Sequence, residues 1–169
     1  MKCLGLVGWS GSGKTTLLTA LLPLLIARGL SVSTLKHAHH GFDLDQPGKD
    51  SFRHREAGAH EVLVASARRW ALLHENADAT PDFATLLARF SPVDLVLVEG
   101  FKQAPYPKIE VFRPSLGKPP LWPETPDIRA VASDAAGLDC PCPLLPLNAP
   151  GVIARWIVAE LALDPVQAA

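Results

Sequence analysis

Gly8-Trp9-Ser10-Gly11-Ser12-Gly13-Lys14-Thr15 satisfies the pattern G-x-x-x-x-G-K-[ST] at every fixed position, the spacing of a loop that wraps phosphate groups. Glycines at these offsets let successive backbone N–H groups point inward, and a helix that follows adds its positive N-terminal end to the same spot. Lys14 is then placed to neutralise the β- and γ-phosphates, and the Thr15 hydroxyl to coordinate magnesium (Mg2+). Gly8, Ser10, Gly11, Ser12, Gly13, Lys14, Thr15 and Thr16 form the candidate phosphate site. The plainer reading, a tight glycine turn with Lys14 in solvent, gives no use for four fixed residues at these spacings.

The loop's flanks supply the context such a site needs. Residues 3–7 are a short apolar run, and Leu17, Leu18, Leu21, Leu22 and Leu25 repeat at the three-and-four spacing of one helical face. Arg28 and Gly29 suit the end of that helix, and Pro23 predicts a kink within it. A second strand is expected at residues 32–35, a hairpin at 62–65 and 70–73, and a short helix at 82–90 capped by Thr80 or Asp82. A helix capped by Asp50 or Ser51 is a further expectation. Residues 93–98 read as a strand buried on both faces. Twelve of the 16 prolines follow Gly100, so residues 103–127 are expected to be mostly loop around one strand at 109–112, with residues 118–126 a dimer contact or a rigid connector. Strands at 128–132 and 144–147 and an amphipathic helix at 152–163 complete the chain. Strands alternating with helices predict an α/β fold of the P-loop NTPase type: a mostly parallel sheet flanked by helices on both faces, with a small β-hairpin excursion.

At 169 residues the chain is expected to form a single nucleotide-binding domain, residues 1–169. Its 16 Lys and Arg against 17 Asp and Glu give a formal net charge of −1, which lacks the bulk positive charge of a non-specific nucleic-acid binder. The longest apolar stretch, residues 17–27, falls short of the ~20 residues that cross a bilayer, and a secretory leader ending there would discard the glycine-rich loop. A cytoplasmic address follows as the expectation, with no membrane and no nucleic acid among the partners. Cys3, Cys140 and Cys142 fit neither a redox pair nor a zinc knuckle and read as reduced thiols.

Ligands of parallel sheets bind at the carboxyl ends of the strands. Asp94 and Glu99 bracket one expected strand with backbones about 16 Å apart, so only Glu99 can face the phosphates. It could hold the metal or orient an attacking water, which makes Lys14 and Glu99 the candidate catalytic pair and Thr15, Asp45 and Glu99 the candidate metal ligands. The segment Lys36-His37-Ala38-His39-His40-Gly41-Phe42-Asp43-Leu44-Asp45 leaves the second strand. Three readings stand: an ordered loop in which Asp45 or Asp50 helps hold magnesium while Lys36, Lys49 or a histidine contacts an anion, a zinc site built from His37, His39, His40 and an aspartate, and a solvated loop whose charges are incidental.

With these residues in view, the chain resembles the GTP-binding adapter family of molybdopterin-guanine dinucleotide biosynthesis. The resemblance rests on Lys36-His37-Ala38-His39-His40, Asp45-Gln46-Pro47-Gly48-Lys49-Asp50-Ser51, Ala57-Gly58-Ala59, Arg69-Trp70-Ala71-Leu72, Val98-Glu99-Gly100-Phe101-Lys102 and Ala130-Val131-Ala132-Ser133-Asp134 occurring with the glycine-rich loop. It implies a P-loop GTPase-like fold, GTP with Mg2+ as cofactors, weak hydrolysis, a homodimer, and partnership with the molybdenum cofactor guanylyltransferase, and it leaves room for a molybdopterin-type ligand. Phosphate binding carries over onto Ser12, Gly13, Lys14 and Thr15, and a metal or switch role onto Asp45 and Glu99.

A guanine reader is commonly an Asn/Thr-Lys-x-Asp segment after a strand, and here Ala132-Ser133-Asp134 supplies the aspartate without the lysine. Asp134 is therefore the candidate base contact. Slow turnover is expected because nothing in the sequence marks an arginine finger, a group worth ~10³ to 10⁵ in rate. Two alternatives remain open: an ATP-dependent small-molecule kinase with Asp45 or Asp50 as base, and a histidine-loop metal module that nucleotide regulates.

Overall fold

A computed structural model of the protein describes residues 1–38, 44–76 and 81–163. They fall into two compact units, Met1–His37 with Leu87–Ala169, and Ala38–Leu86.

The first unit is built on β1 (Lys2–Val7), α1 (Lys14–Ile26) and β2 (Val32–Lys36) in its N-terminal part. Leu17, Leu18, Leu21 and Leu25 are the buried residues of α1, as their spacing predicts. The helix runs on through Pro23, which sits inside it. Arg28 Nη1 donates to Leu24 O at 2.6 Å, so the cation meets the free carbonyls at the helix's negative end. Gly29 N–H closes the turn on Ile26 O at 2.9 Å.

In the second unit, α2 (Asp50–Glu56) precedes the antiparallel ribbon of β3 (Glu61–Ala65) and β4 (Trp70–His74). The hairpin stands where the apolar runs predict it. The start of α2 differs: Lys49 is its N-cap and makes no side-chain cap bond, so neither Asp50 nor Ser51 caps it. The α3 helix (Phe83–Leu87) is shorter than expected and begins after Asp82, whose Oδ1 accepts the Thr85 N–H at 2.7 Å.

The remaining elements are β5 (Leu95–Glu99), β6 (Lys108–Phe112), a 3₁₀ turn Pro114–Leu116, β7 (Ile128–Ser133), β8 (Leu144–Pro146) and α4 (Pro150–Glu160). Six strands form one sheet in the order β2-β5-β1-β6-β7-β8, every pair parallel. The expected parallel α/β architecture is therefore present. Its position for a ligand is set by register: Leu6 pairs Glu99, and Lys36 pairs Glu99 from the other side. The carboxyl ends of β1, β2 and β5 thus meet in one place.

The sheet's two faces are covered differently. On one face Leu4, Leu6, Leu95, Leu97, Ile109, Val111, Ala130 and Ala132 pack with the leucines of α1 and with Ile153, Ala154 and Ile157 of α4. On the other, Val7, Phe112, Ile128 and Val131 pack with Leu121, Trp122, Leu138, Cys140 and Cys142. The expectation of helices on both faces is refined here: over this part of the sheet the second cover is the proline-rich loop. Residues 118–126 are more than a bare connector, because Leu121 and Trp122 pack on the sheet.

That cover explains two charged residues inside β6. Glu110 accepts the N–H groups of Leu121 (2.9 and 3.0 Å) and Trp122 (2.9 Å), and burial pushes its carboxyl above the usual carboxylate range. Lys108 donates to Ala104 O (2.6 Å), Tyr106 O (2.9 Å) and Asp127 Oδ2 (3.4 Å). Both side chains are fully buried, and each charge is compensated by hydrogen bonds as burial requires. Asp94, at the opposite end of β5 from Glu99, accepts the Ser31 N–H at 2.7 Å and its hydroxyl at 2.6 Å, which holds its carboxyl below the usual range. It belongs to the sheet's amino edge, away from the strand ends that meet at Glu99.

Candidate functional site

Between β1 and α1 the backbone takes conformations open to glycine. Gly8 has φ 144°, and a β-carbon there would lie 2.4 Å from Val111 O and 2.9 Å from Ser12 Oγ. The chain can pass so close to β6 only without a side chain, so this glycine is needed for approach as well as for angle. Gly13 is the N-cap of α1, and the loop therefore opens a helix as the motif demands.

Lys14 lies across the loop, its ammonium donating to Gly8 O at 3.1 Å and Trp9 O at 2.9 Å. Burial lowers its pKa below the ordinary lysine range; Glu99 opposes that shift, and Lys102 and Lys36 add to it. An anion near three cations and one carboxylate meets a net positive field. Ser12 is almost wholly buried, and its Oγ has no hydrogen-bond partner in the structure. A buried hydroxyl in that state costs free energy unless something accepts from it or donates to it, and a phosphate oxygen is chemically suited to do so.

Thr15 Oγ1 donates to Glu99 Oε1 at 2.9 Å and Oε2 at 3.0 Å. Lys36 Nζ stands 3.6 Å from Glu99 Oε1. A hydroxyl and a carboxylate in direct contact are hard oxygen donors of the kind that magnesium takes beside phosphates. The three residues expected from motif and strand position, Lys14, Thr15 and Glu99, are thus brought together by β1, α1 and β5.

Beyond Glu99 the chain turns sharply. Gly100 has φ 100°, and a β-carbon there would stand 2.8 Å from the His37 Cβ. Phe101 has φ 46°, uncommon for a residue with a side chain, and the Tyr106 hydroxyl donates to the carbonyls of Gly100 (3.0 Å) and Phe101 (3.1 Å). His37 N–H donates to Glu99 O at 2.8 Å, and its ring meets that of Phe101 at 4.6 Å between centroids. The first histidine of the polar segment is therefore tied to the backbone of Glu99.

Asp45 lies in the second unit, where its Oδ1 accepts the Ser51 hydroxyl at 2.6 Å and its Oδ2 faces Arg55 Nε at 3.5 Å. Arg55 also stands 3.6 Å from Glu75 and stacks on Phe52 at 5.0 Å. This carboxylate is engaged by a hydroxyl and a guanidinium within its own unit. Asp50 pairs with Arg53 at 3.9 Å on the exposed face of α2. His39, His40 and Asp43 lie outside the described residues, and among the described residues no group of three or more His, Cys, Asp or Glu could hold a metal.

Asp134 directly follows β7. Its carboxylate pairs with Arg113 Nη1, while Arg113 Nε donates to Ser12 O at 3.0 Å. Motif reading did not single out Arg113, because its role depends on three strand ends that lie far apart in sequence. Trp9 was also missed: its indole N–H donates to Pro119 O at 2.7 Å, and Lys102 and Lys118 stand 4.9 and 5.8 Å from its ring centroid. Its only signal was an aromatic residue inside a phosphate loop.

The family model for molybdopterin guanine dinucleotide synthesis protein B (MobB) matches residues 3–134, which span the loop, Glu99 and Asp134. The chain belongs to the MobB family. It is 43% identical over 159 residues to the molybdopterin-guanine dinucleotide biosynthesis adapter protein of Escherichia coli (strain K12), covering 92% of this chain and 90% of that one. It is 49% identical over 117 residues to the protein of that name from Haemophilus influenzae, covering 69% and 66%. Among solved MobB structures, the homolog from Bacillus stearothermophilus superposes with a TM-score of 0.72 at 25% identity, over 97% of this chain and 100% of that one. Another, a molybdopterin-guanine biosynthesis protein B, gives 0.75 at 30% identity over 95% and 99%. Among the described residues no helix is long and apolar enough to cross a membrane.

Proposed function

We propose that this MobB-family chain is a GTP-binding adapter of molybdopterin guanine dinucleotide biosynthesis, with Mg2+ as its metal, weak GTP hydrolysis, and the molybdenum cofactor guanylyltransferase as its partner. The observation that carries the reading is the convergence of Lys14, Thr15, Glu99 and the buried, unpartnered Ser12 hydroxyl at one loop. When triphosphate binds, Lys14 exchanges the carbonyls of Gly8 and Trp9 for the β- and γ-phosphates, and the backbone N–H groups of residues 8–15 hold the remaining oxygens. Thr15 and Glu99 are the residues assigned to the metal, which supplies charge neutralisation at the phosphates. Glu99 also orients water. Its link to His37 through the backbone gives the polar segment a way to respond to the nucleotide.

The guanine reading is tested at Asp134. Asn in place of Asp134 keeps one acceptor oxygen but exchanges the other for an NH2 donor, which opposes the guanine N2–H and suits the 2-oxo group of xanthine, so Asp134→Asn is expected to weaken GTP relative to xanthosine triphosphate by about tenfold or more, the scale of one charged hydrogen bond. Binding of both nucleotides to both proteins is the measurement, and unchanged selectivity would remove Asp134 from the role.

The homodimer is assigned to the ribbon of the second unit. Leu63 pairs Leu72 and Ala65 pairs Trp70 across β3 and β4, so the four share a face. Leu63 is 61% and Trp70 67% exposed. A two-stranded ribbon is marginal by itself, and an apolar patch of this kind calls for a cover; a second copy offers one of identical chemistry. Sedimentation should give a dimer for the natural chain and a monomer for Leu72→Asp. A dimer that survives the substitution unweakened would contradict the assignment.

A further inference from the structure

The guanine-reading pattern couples its aspartate to a lysine, and Ala132-Ser133-Asp134 has none. The fold supplies a cation from the neighbouring strand instead. Arg113, the first residue after β6, donates from Nε to Ser12 O at 3.0 Å and pairs through Nη1 with Asp134. Its guanidinium also lies on the loop: a β-carbon built on Gly13 would stand 3.6 Å from Nη2 and 3.8 Å from Nε. The side chain is 33% exposed, so it is packed on one side and open on another.

We propose that Arg113 is the positioning residue for the nucleotide base, tying the phosphate loop to Asp134 and presenting a planar cation beside the purine ring. The inference rests on the GTP-binding reading above and extends it. A nucleotide with its triphosphate in residues 8–15 and its base edge at Asp134 must span those two points, and Arg113 is a side chain that touches both. A guanidinium keeps its charge at all working pH values, forks toward two acceptors at once and stacks on aromatic faces, whereas an ammonium does only part of this. Two fixed acceptors, Ser12 O and Asp134, hold the plane in one orientation. The sheet order β1-β6-β7 is what brings them together, since the three contributing strand ends are adjacent in space.

The test compares a ligand that has the base with one that lacks it. GTP and inorganic tripolyphosphate, each with magnesium, are titrated into the natural chain, Arg113→Ala and Arg113→Lys, and the quantity read is the ratio of the two affinities. In Arg113→Ala that ratio is expected to fall about tenfold, on the scale of a charged hydrogen bond. Arg113→Lys keeps the charge beside the loop, folds if the cation alone is needed for stability, and should still lose most of the ratio because it lacks the plane. Equal losses for both ligands in both variants would overturn the proposal and leave Arg113 as a brace for the loop. A ratio unchanged from the natural chain would overturn it as well. Failure of the natural chain to favour GTP over tripolyphosphate overturns the guanine reading itself, and this inference with it, and is recognised before either variant is made.

Discussion

Replacing Lys14 with alanine is expected to weaken GTP binding by roughly 10²- to 10⁴-fold, because charge-assisted hydrogen bonds contribute about 1.5–3 kcal/mol each and Lys14 is assigned one to each of two phosphates. The charge is not duplicated. Lys36 stands against Glu99, Lys102 lies over the Trp9 ring, and Arg113 is committed to Ser12 O and Asp134. Besides weakening binding, the change should lower stability by about 1–3 kcal/mol, since the carbonyl of Trp9 belongs to a partly exposed residue but that of Gly8 belongs to a buried one and loses its lysine donor. Calorimetric titration reads the first quantity and thermal unfolding the second. A loss of affinity below about fivefold would show that the loop's backbone, and not its lysine, holds the phosphates.

The second large effect lies away from the site, at Lys108. Its side chain is fully buried, donates to Ala104 O and Tyr106 O, and stands 3.4 Å from Asp127 and 4.3 Å from the Tyr106 ring centroid. Lys108→Ala takes the ammonium from two carbonyls, of which Ala104 O keeps the Tyr106 N–H at 3.1 Å, and opens a cavity under the sheet, and it is expected to cost about 3–5 kcal/mol. Lys108→Met keeps most of the volume and removes only the donors, so about 1–3 kcal/mol is expected. Urea unfolding gives both numbers, and equal losses would mean that the lost donors alone matter there and packing does not. Burial lowers the Lys108 pKa, so the unfolded chain binds more protons and this group's contribution to stability rises with pH between the lowered value and the ordinary lysine range. The methionine variant should lose that slope.

Much of the architecture can be read directly from sequence, and the failures have physical causes. The glycine-rich loop announces a strand before it and a helix after it, the leucine spacing gives the buried face of α1, and the apolar run ending at Glu99 gives β5. Each is a local pattern. Lys108-Ile109-Glu110-Val111-Phe112, by contrast, alternates charged and apolar residues as a strand with one wet face does, yet all five are buried. The reason is remote: Leu121 and Trp122, from a segment whose prolines read only as loop, fold back over that face and donate their N–H groups to Glu110. Position 113 carries no motif for the same reason. Its partners at residues 12 and 134 become neighbours only through the order of strands in the sheet. Asp45 shows the limit from the other side, since an aspartate in a polar segment reads as a metal ligand, and only the structure shows its Oδ1 accepting from Ser51 and its Oδ2 facing Arg55.

The central claim, a guanine nucleotide held by the Gly8–Thr15 loop, is tested most directly by calorimetric titration of the natural chain with GTP and with ATP in the presence of magnesium. The account predicts saturable binding near one nucleotide per chain, with GTP tighter than ATP and only slow release of phosphate. ATP bound more tightly than GTP, or turnover that depends on a small-molecule acceptor, would contradict it and point to a kinase instead.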